Sequence, residues 1–132
     1  MCKRGDIYFV NCGCDTSSSL QCGVRPVLVV SNDVANAHSP VVTVVPLTGQ
    51  LRKKHSLPTH VLIPCSKRHG LTQPSVALAE QVTAIDKSRL VDRRGHIKDH
   101  GIMAKVTEAL QIQIGAVPNV CAVARLAHEK KM

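Results

Sequence analysis

With 132 residues, 44% hydrophobic and 20% charged, the chain is of a length and composition that make one globular domain, able to bury a core without disulfide or metal staples. No apolar run approaches the roughly 20 residues that a membrane helix needs, and no apolar secretory segment follows Met1-Cys2-Lys3-Arg4-Gly5-Asp6, so a cytoplasmic protein off the membrane is expected. Seventeen Lys and Arg against nine Asp and Glu, a formal charge of +8, favour a polyanionic partner, nucleic acid before an acidic protein.

The first strand is expected from Gly5 to Cys12, with Ile7 and Phe9 on one face and Tyr8 and Val10 on the other. Gly13 to Cys22 then forms a Ser-rich loop, the kind of segment that carries binding groups on a rigid sheet. Cys12, Cys14 and Cys22 cluster around it. Structural zinc normally shows two close ligand pairs, and the second pair is missing here, so reduced thiols are expected, with neither metal nor cofactor.

Val27 to Val30 reads as a short buried strand between turn signals, Gly23 and Pro26 before it and Ser31-Asn32-Asp33 after it. Asn32 to His38 allows one helical turn ahead of Ser39-Pro40. Val41 to Val45 repeats the strand pattern; Pro46, which has no N–H, must end that strand, bulge it or lie at a sheet edge. If the two strands pair antiparallel, Arg25 before the first lies beside Thr48 after the second. A guanidinium fork fits two oxygens of a phosphate, and a threonine hydroxyl can donate to a third or position a nucleophile. On spacing alone, a surface ion pair and a turn residue are the more ordinary explanation of the two.

Residues 50–56 make a basic loop containing Arg52 and Lys53, and Leu57 to Pro64 a further strand with His60 at its start. Cys65 to Pro74 is a basic connection; Ser75 to Ile85 holds a strand through Val76 and Leu78, then Glu80-Gln81; Ile85 to Leu90 suggests a short helix capped by Asp86. The remaining positive charge groups at Lys67-Arg68, at Arg89 with Arg93-Arg94, and at Lys130-Lys131. Aromatic content is only 2%, so bases must be held by Arg or His planes or by hydrogen bonds rather than by a row of rings. From Asp99 the period changes to 3.6: Met103, Val106, Leu110, Ile114 and Val117 mark an amphipathic helix capped by Asp99 and stopped at Gly115 and Pro118, its stripe read as core packing. Residues 1–118 are expected to form a single domain and 119–132 a basic extension.

Lys3-Arg4-Gly5-Asp6-Ile7-Tyr8-Phe9, Gly23-Val24-Arg25-Pro26-Val27-Leu28-Val29-Val30-Ser31-Asn32-Asp33, Leu47-Thr48, Leu57-Pro58-Thr59-His60-Val61 and Leu78-Ala79-Glu80-Gln81 follow one another in an order and spacing that resemble the MazF/PemK family of toxin endoribonucleases. The resemblance implies an α+β, mainly β fold: an SH3-like twisted antiparallel barrel with a C-terminal amphipathic helix, assembled as a symmetric homodimer. It also implies metal-independent cleavage of single-stranded mRNA at a short sequence. The ribose 2'-hydroxyl attacks the adjacent phosphorus and leaves a 2',3'-cyclic phosphate and a 5'-hydroxyl. A cognate antitoxin, acidic and disordered in part, would neutralise the toxin.

On that resemblance Arg25 and Thr48 are the catalytic pair, and Gln21, His60, Gln81, Arg52 and Lys53 contact RNA. His60 is the one nearby motif residue of a type whose unperturbed pKa lies near neutrality, so proton transfer, substrate contact and a local structural bond all stay open for it. Glu80 is expected to be support. The chain departs from the family where Leu20 and Cys22 replace the usual acidic residue and glycine. A non-enzymatic toxin of the same barrel type acting on a protein such as gyrase, and a plain basic RNA-binding barrel, are the competing readings.

Overall fold

Alternating apolar side chains along the strands feed two separate cores, one on each face of a single sheet. The computed structural model describes residues 1–11, 24–49 and 57–117. Its strands are β1 (Asp6–Asn11), β2 (Val24–Val29), β3 (Val41–Thr48), β4 (His60–Ile63), β5 (Ser75–Leu78), β6 (Thr83–Asp86) and β7 (Leu90–His96). A short helix α1 (Asp33–His38) precedes β3, 3-10 turns occupy Ala79–Gln81 and Lys87–Arg89, and α2 (His100–Gln113) follows β7. Gln21, Arg52, Lys53, the Cys12/Cys14/Cys22 cluster and the extension 119–132 lie outside the described residues.

All pairings are antiparallel, in the order β4-β5-β3-β2-β1-β7, with β6 also on β3. The class is therefore the expected one, mainly β with a C-terminal helix. The twisted sheet does not close into a barrel among the described residues, where β4 and β7 are the ends of the path. β3 is its centre. Val44, Val45 and Pro46 pair with β2, while the opposite edge divides between β6 at Val41–Val44 and β5 at Leu47 and Thr48. Pro46 falls where that edge changes partner. Its missing N–H is thus accommodated inside a strand that runs on to Thr48 rather than stopping at Val45.

On one face Ile7, Leu28, Val45, Leu47 and Ile63 pack with Val106 and Ala109 of α2. On the other, Val10, Val27, Val29, Val42 and Val44 pack with Cys2, fringed by Tyr8, Ile85 and Leu90. The helix begins where its cap was expected, the Asp99 carboxylate accepting from the N–H groups of Gly101 and Ile102. Its buried face is rotated from the expected stripe: Ile102, Met103, Val106, Ala109 and Leu110 meet the core, and Ile114, at the C-cap, is 72% exposed. No helix among the described residues is long and apolar enough to cross a membrane.

Two strands have no clear signature in the sequence. The expected helix from Ile85 to Leu90 is instead the end of β6, a 3-10 turn and the first residue of β7, and the Asp86 side chain makes no cap hydrogen bond. β6 and β7 are mostly exposed, so they show no strict apolar alternation; they are strands because β3 and β1 offer them backbone partners.

Polar bonds pin the start of β1. The Asp6 carboxylate, 2% exposed, accepts from the Lys3 N–H at 2.9 Å and from His96 Nδ1 at 2.8 Å, and pairs with Arg93 at 3.3 Å. A buried carboxylate is tolerated only when satisfied in this way. The Arg4 guanidinium reaches the Val30 carbonyl and the Thr107 hydroxyl, so the N-terminal turn also holds α2 to the sheet.

Burial, reinforced by the Asp6 charge, raises the pKa of Tyr8 above its ordinary value of 10.0. Below about pH 10 the phenol is neutral in folded and unfolded chains alike and has no effect on stability. Above it the unfolded chain ionises first, so stability falls as pH rises from the unfolded toward the folded value. With one Tyr and no Trp in the chain, the tyrosinate absorbance of the native protein should titrate with a midpoint above that of the urea-unfolded chain. Equal midpoints would contradict the burial argument.

Candidate active site

β2 and β3 run in opposite directions, and carrying their Val27↔Pro46 register two residues outward sets Arg25 opposite Thr48. Arg25 pairs with Val10 of β1, and Thr48 with Val76 of β5, so each backbone is held by a neighbouring strand. Arg25 is exposed and Thr48 is 7% exposed. Both line one open cleft of about 500 Å³ whose wall includes Phe9, Gln73, Ser75 and Arg94.

The segment between β4 and β5 brings Gly70, Leu71, Thr72 and Gln73 to the cleft. Ser66 bridges Leu71, the Gly70 N–H bonds the Ser66 carbonyl at 3.1 Å, and the buried His69 ring meets the Pro64 carbonyl at 2.7 Å. The His96 N–H donates to the Arg68 carbonyl at 2.7 Å, joining this segment to β7. At Gly70, where φ is +70°, a Cβ would stand 2.1 Å from the Arg94 carbonyl oxygen. Only glycine permits that approach. The Gln73 amide in turn lies over Gly49, where a Cβ would sit 2.3 Å from its Nε2. Thr48, Gln73 and Arg94 are thereby brought to one place from three distant parts of the chain.

His60 and Gln81 are elsewhere. The His60 side chain is 2% exposed, and its Nε2 lies 2.7 Å from Glu80 Oε2. Thr59 donates to the other oxygen of Glu80 at 3.1 Å, so Glu80 anchors the start of β4. His60 lines a second cleft, of about 490 Å³, between β4 and α2 with Leu62, Lys105 and Ile112. Its Nδ1, like Gln81 Oε1, is buried without a hydrogen-bond partner among the described residues. Neither residue borders the cleft of Arg25 and Thr48.

Sequence reasoning does not single out Phe9, Gln73, Ser75 or Arg94 as site residues. For Arg94 a signal exists, in its charge grouping with Arg93. For the others nothing local distinguishes them from ordinary strand and turn residues. No group of three or more His, Cys, Asp or Glu side chains arranged for a metal occurs among the described residues.

An antiparallel sheet with a C-terminal helix, and an arginine and a threonine facing each other at the rim of its central strands, define a class that comparison with known proteins names. Residues 3–114 match the family described as PemK-like, MazF-like toxin of type II toxin-antitoxin system, and the chain belongs to that family. It is 47% identical over 115 residues, 87% of this chain and 96% of the relative, to Endoribonuclease EndoA of Bacillus subtilis (strain 168). Among solved structures it is similar to a mycobacterial endoribonuclease in complex with its cognate antitoxin, at 28% identity and a TM-score of 0.71, covering 89% of this chain and 98% of that one. The crystal structure of MazF from Deinococcus radiodurans shares the fold, with a TM-score of 0.69 at 23% identity, over 86% of this chain and 96% of that one.

Replacing Gly70 tests how the segment between β4 and β5 is held. Gly70→Ala combines a left-handed φ with a collision against β7 and should cost about 1–3 kcal/mol of stability. Gly115, at φ +75° with nothing within 4 Å of where a Cβ would stand, isolates the backbone strain alone. Thermal melts of the two alanine variants should show the larger loss at Gly70; equal losses would mean that the contact with Arg94 is slack.

Proposed function

We propose that this chain is the toxin of a type II toxin–antitoxin pair, an endoribonuclease that cuts single-stranded mRNA at a short sequence without a metal. The observation that carries the reading is the shared cleft of Arg25 and Thr48. The endoribonuclease names of its relatives favour it over a gyrase-directed toxin.

In the proposed reaction the 2'-hydroxyl attacks the neighbouring phosphorus, the 5'-oxygen leaves, and the products end in a 2',3'-cyclic phosphate and a 5'-hydroxyl. Negative charge builds on the phosphorane oxygens, and a fixed guanidinium at their side stabilises the transition state more than the ground state. Arg25 supplies that guanidinium. A guanidinium does not give up its proton readily enough to serve as a base, so its work is electrostatic. The Thr48 hydroxyl, held in the strand end between β2 and β5, hydrogen-bonds a phosphate oxygen and fixes the scissile group against Arg25. Arg94, paired with Asp92, stands on the same wall.

The partner in this reading is an acidic antitoxin, favoured by the net charge of +8 and by the solved antitoxin complex of the mycobacterial relative. A symmetric homodimer in the cytoplasm completes the proposal.

Incubation of the purified protein with a long mixed-sequence RNA in excess EDTA, followed by mapping of every product end, tests the activity directly. Cuts at one short motif bearing 5'-hydroxyl ends are expected. Arg25→Ala should lower kcat by at least about 100-fold, the usual effect of losing one charge-stabilising donor, with an unchanged melting profile. A 2'-deoxy nucleotide at the cut site should stop cleavage outright, because the nucleophile is gone. Intact RNA with the wild-type protein, or full activity in Arg25→Ala, would refute the assignment.

A further inference from the structure

The chain has one Phe, one Tyr and no Trp, so stacking surface for nucleobases is scarce. Its single Phe is at the cleft. The Arg94 guanidinium lies over the Phe9 ring, 4.8 Å from the ring centroid, and both residues line the wall that carries Arg25 and Thr48. The arginine is braced twice more: its Nη1 donates to the Asp92 carboxylate at 3.1 Å, and its own backbone carbonyl is packed against Gly70. Its side chain still keeps 41% of its exposure.

These contacts leave a particular part of Arg94 for a ligand. The guanidinium carbon lies over the Phe9 ring, and part of the donor fork is on a carboxylate that also offsets its charge. The rest of the side chain, still 41% exposed, lines the cleft. A guanidinium plane in that state is suited to stacking on a base, which every nucleotide offers whatever its identity, and is poorly suited to a bidentate grip on phosphate.

We infer that Arg94, resting over Phe9, is the nucleobase-stacking platform of this cleft, taking a base next to the phosphate held by Arg25 and Thr48. The inference rests on the ribonuclease reading for what that phosphate undergoes, but base-dependent binding can be measured without any cleavage. Phe9 acts through Arg94 as a positioning residue, and Gln73 lines the same cleft.

The test compares binding of a short mixed-sequence 2'-O-methyl RNA, which cannot be cut, with binding of the same backbone made entirely abasic, by fluorescence anisotropy at fixed salt. The wild type should bind the base-bearing strand more tightly. Arg94→Ala should shrink that difference by roughly 10- to 100-fold, the scale of one lost base stack, and Arg94→Lys should do the same despite keeping the charge. Phe9→Leu, which keeps an apolar side chain but removes the ring under the guanidinium, should shrink it in part. Melting curves of each variant establish that it is folded. Retention of the difference in Arg94→Lys would show that the base contact does not need the guanidinium plane and overturn the platform, as would equal binding of the two strands by the wild type. Base-dependent binding that is lost in Arg94→Ala, in a protein that leaves cleavable RNA intact, would support the platform while refuting the ribonuclease assignment.

Discussion

The division of β3 between two partners on one edge is the constraint from which the rest of the arrangement follows. Its first half pairs with β6 and its last two residues with β5, while β2 holds the middle from the other side. A strand gripped in this way cannot slip in register without turning its alternate residues, Val42, Val44, Val45 and Leu47, out of their two cores. Register is what sets Thr48 against Arg25. Backbone hydrogen bonding and two-sided burial therefore place the paired groups, and neither side chain has to position itself from a loop.

A second set of constraints holds β7, and through it Arg94. β7 has little apolar character, and its attachment is largely polar and steric. Asp6 takes His96 and Arg93, the Arg68 carbonyl takes the His96 N–H, and Gly70 lets the turn rest on the Arg94 backbone. Each bond alone is modest, but a buried carboxylate deprived of its donors is costly, so the set holds or fails together. An edge strand fastened in this manner presents its side chains to solvent on a rigid frame, which is what a binding wall needs.

The two clefts differ in what they offer. The one at the end of β2 and β3 is open and carries arginines whose charge does not depend on pH. The other is backed by α2 and lined by a buried histidine paired with Glu80. Chemistry on a phosphate requires positive charge that can grip several oxygens, and the first supplies two arginine forks where the second has a single lysine, Lys105.

Much of this was legible in the chain itself. The β-branched runs at Val27 and Val41, the Asp99 cap, and the Gly-x-Arg-Pro and Leu-Thr stretches are local patterns, and local patterns report local structure. They were enough to suggest that Arg25 and Thr48 meet, because consecutive strands usually pair antiparallel. Tertiary structure alone decided that β3 passes through Pro46, that the exposed segments 83–86 and 90–96 are strands, and that His60 turns away from Arg25 to bond Glu80. It alone set Arg94 on Phe9. Each of these depends on a backbone or side-chain partner far away in sequence, and no periodicity or composition of the segment itself carries the identity of that partner.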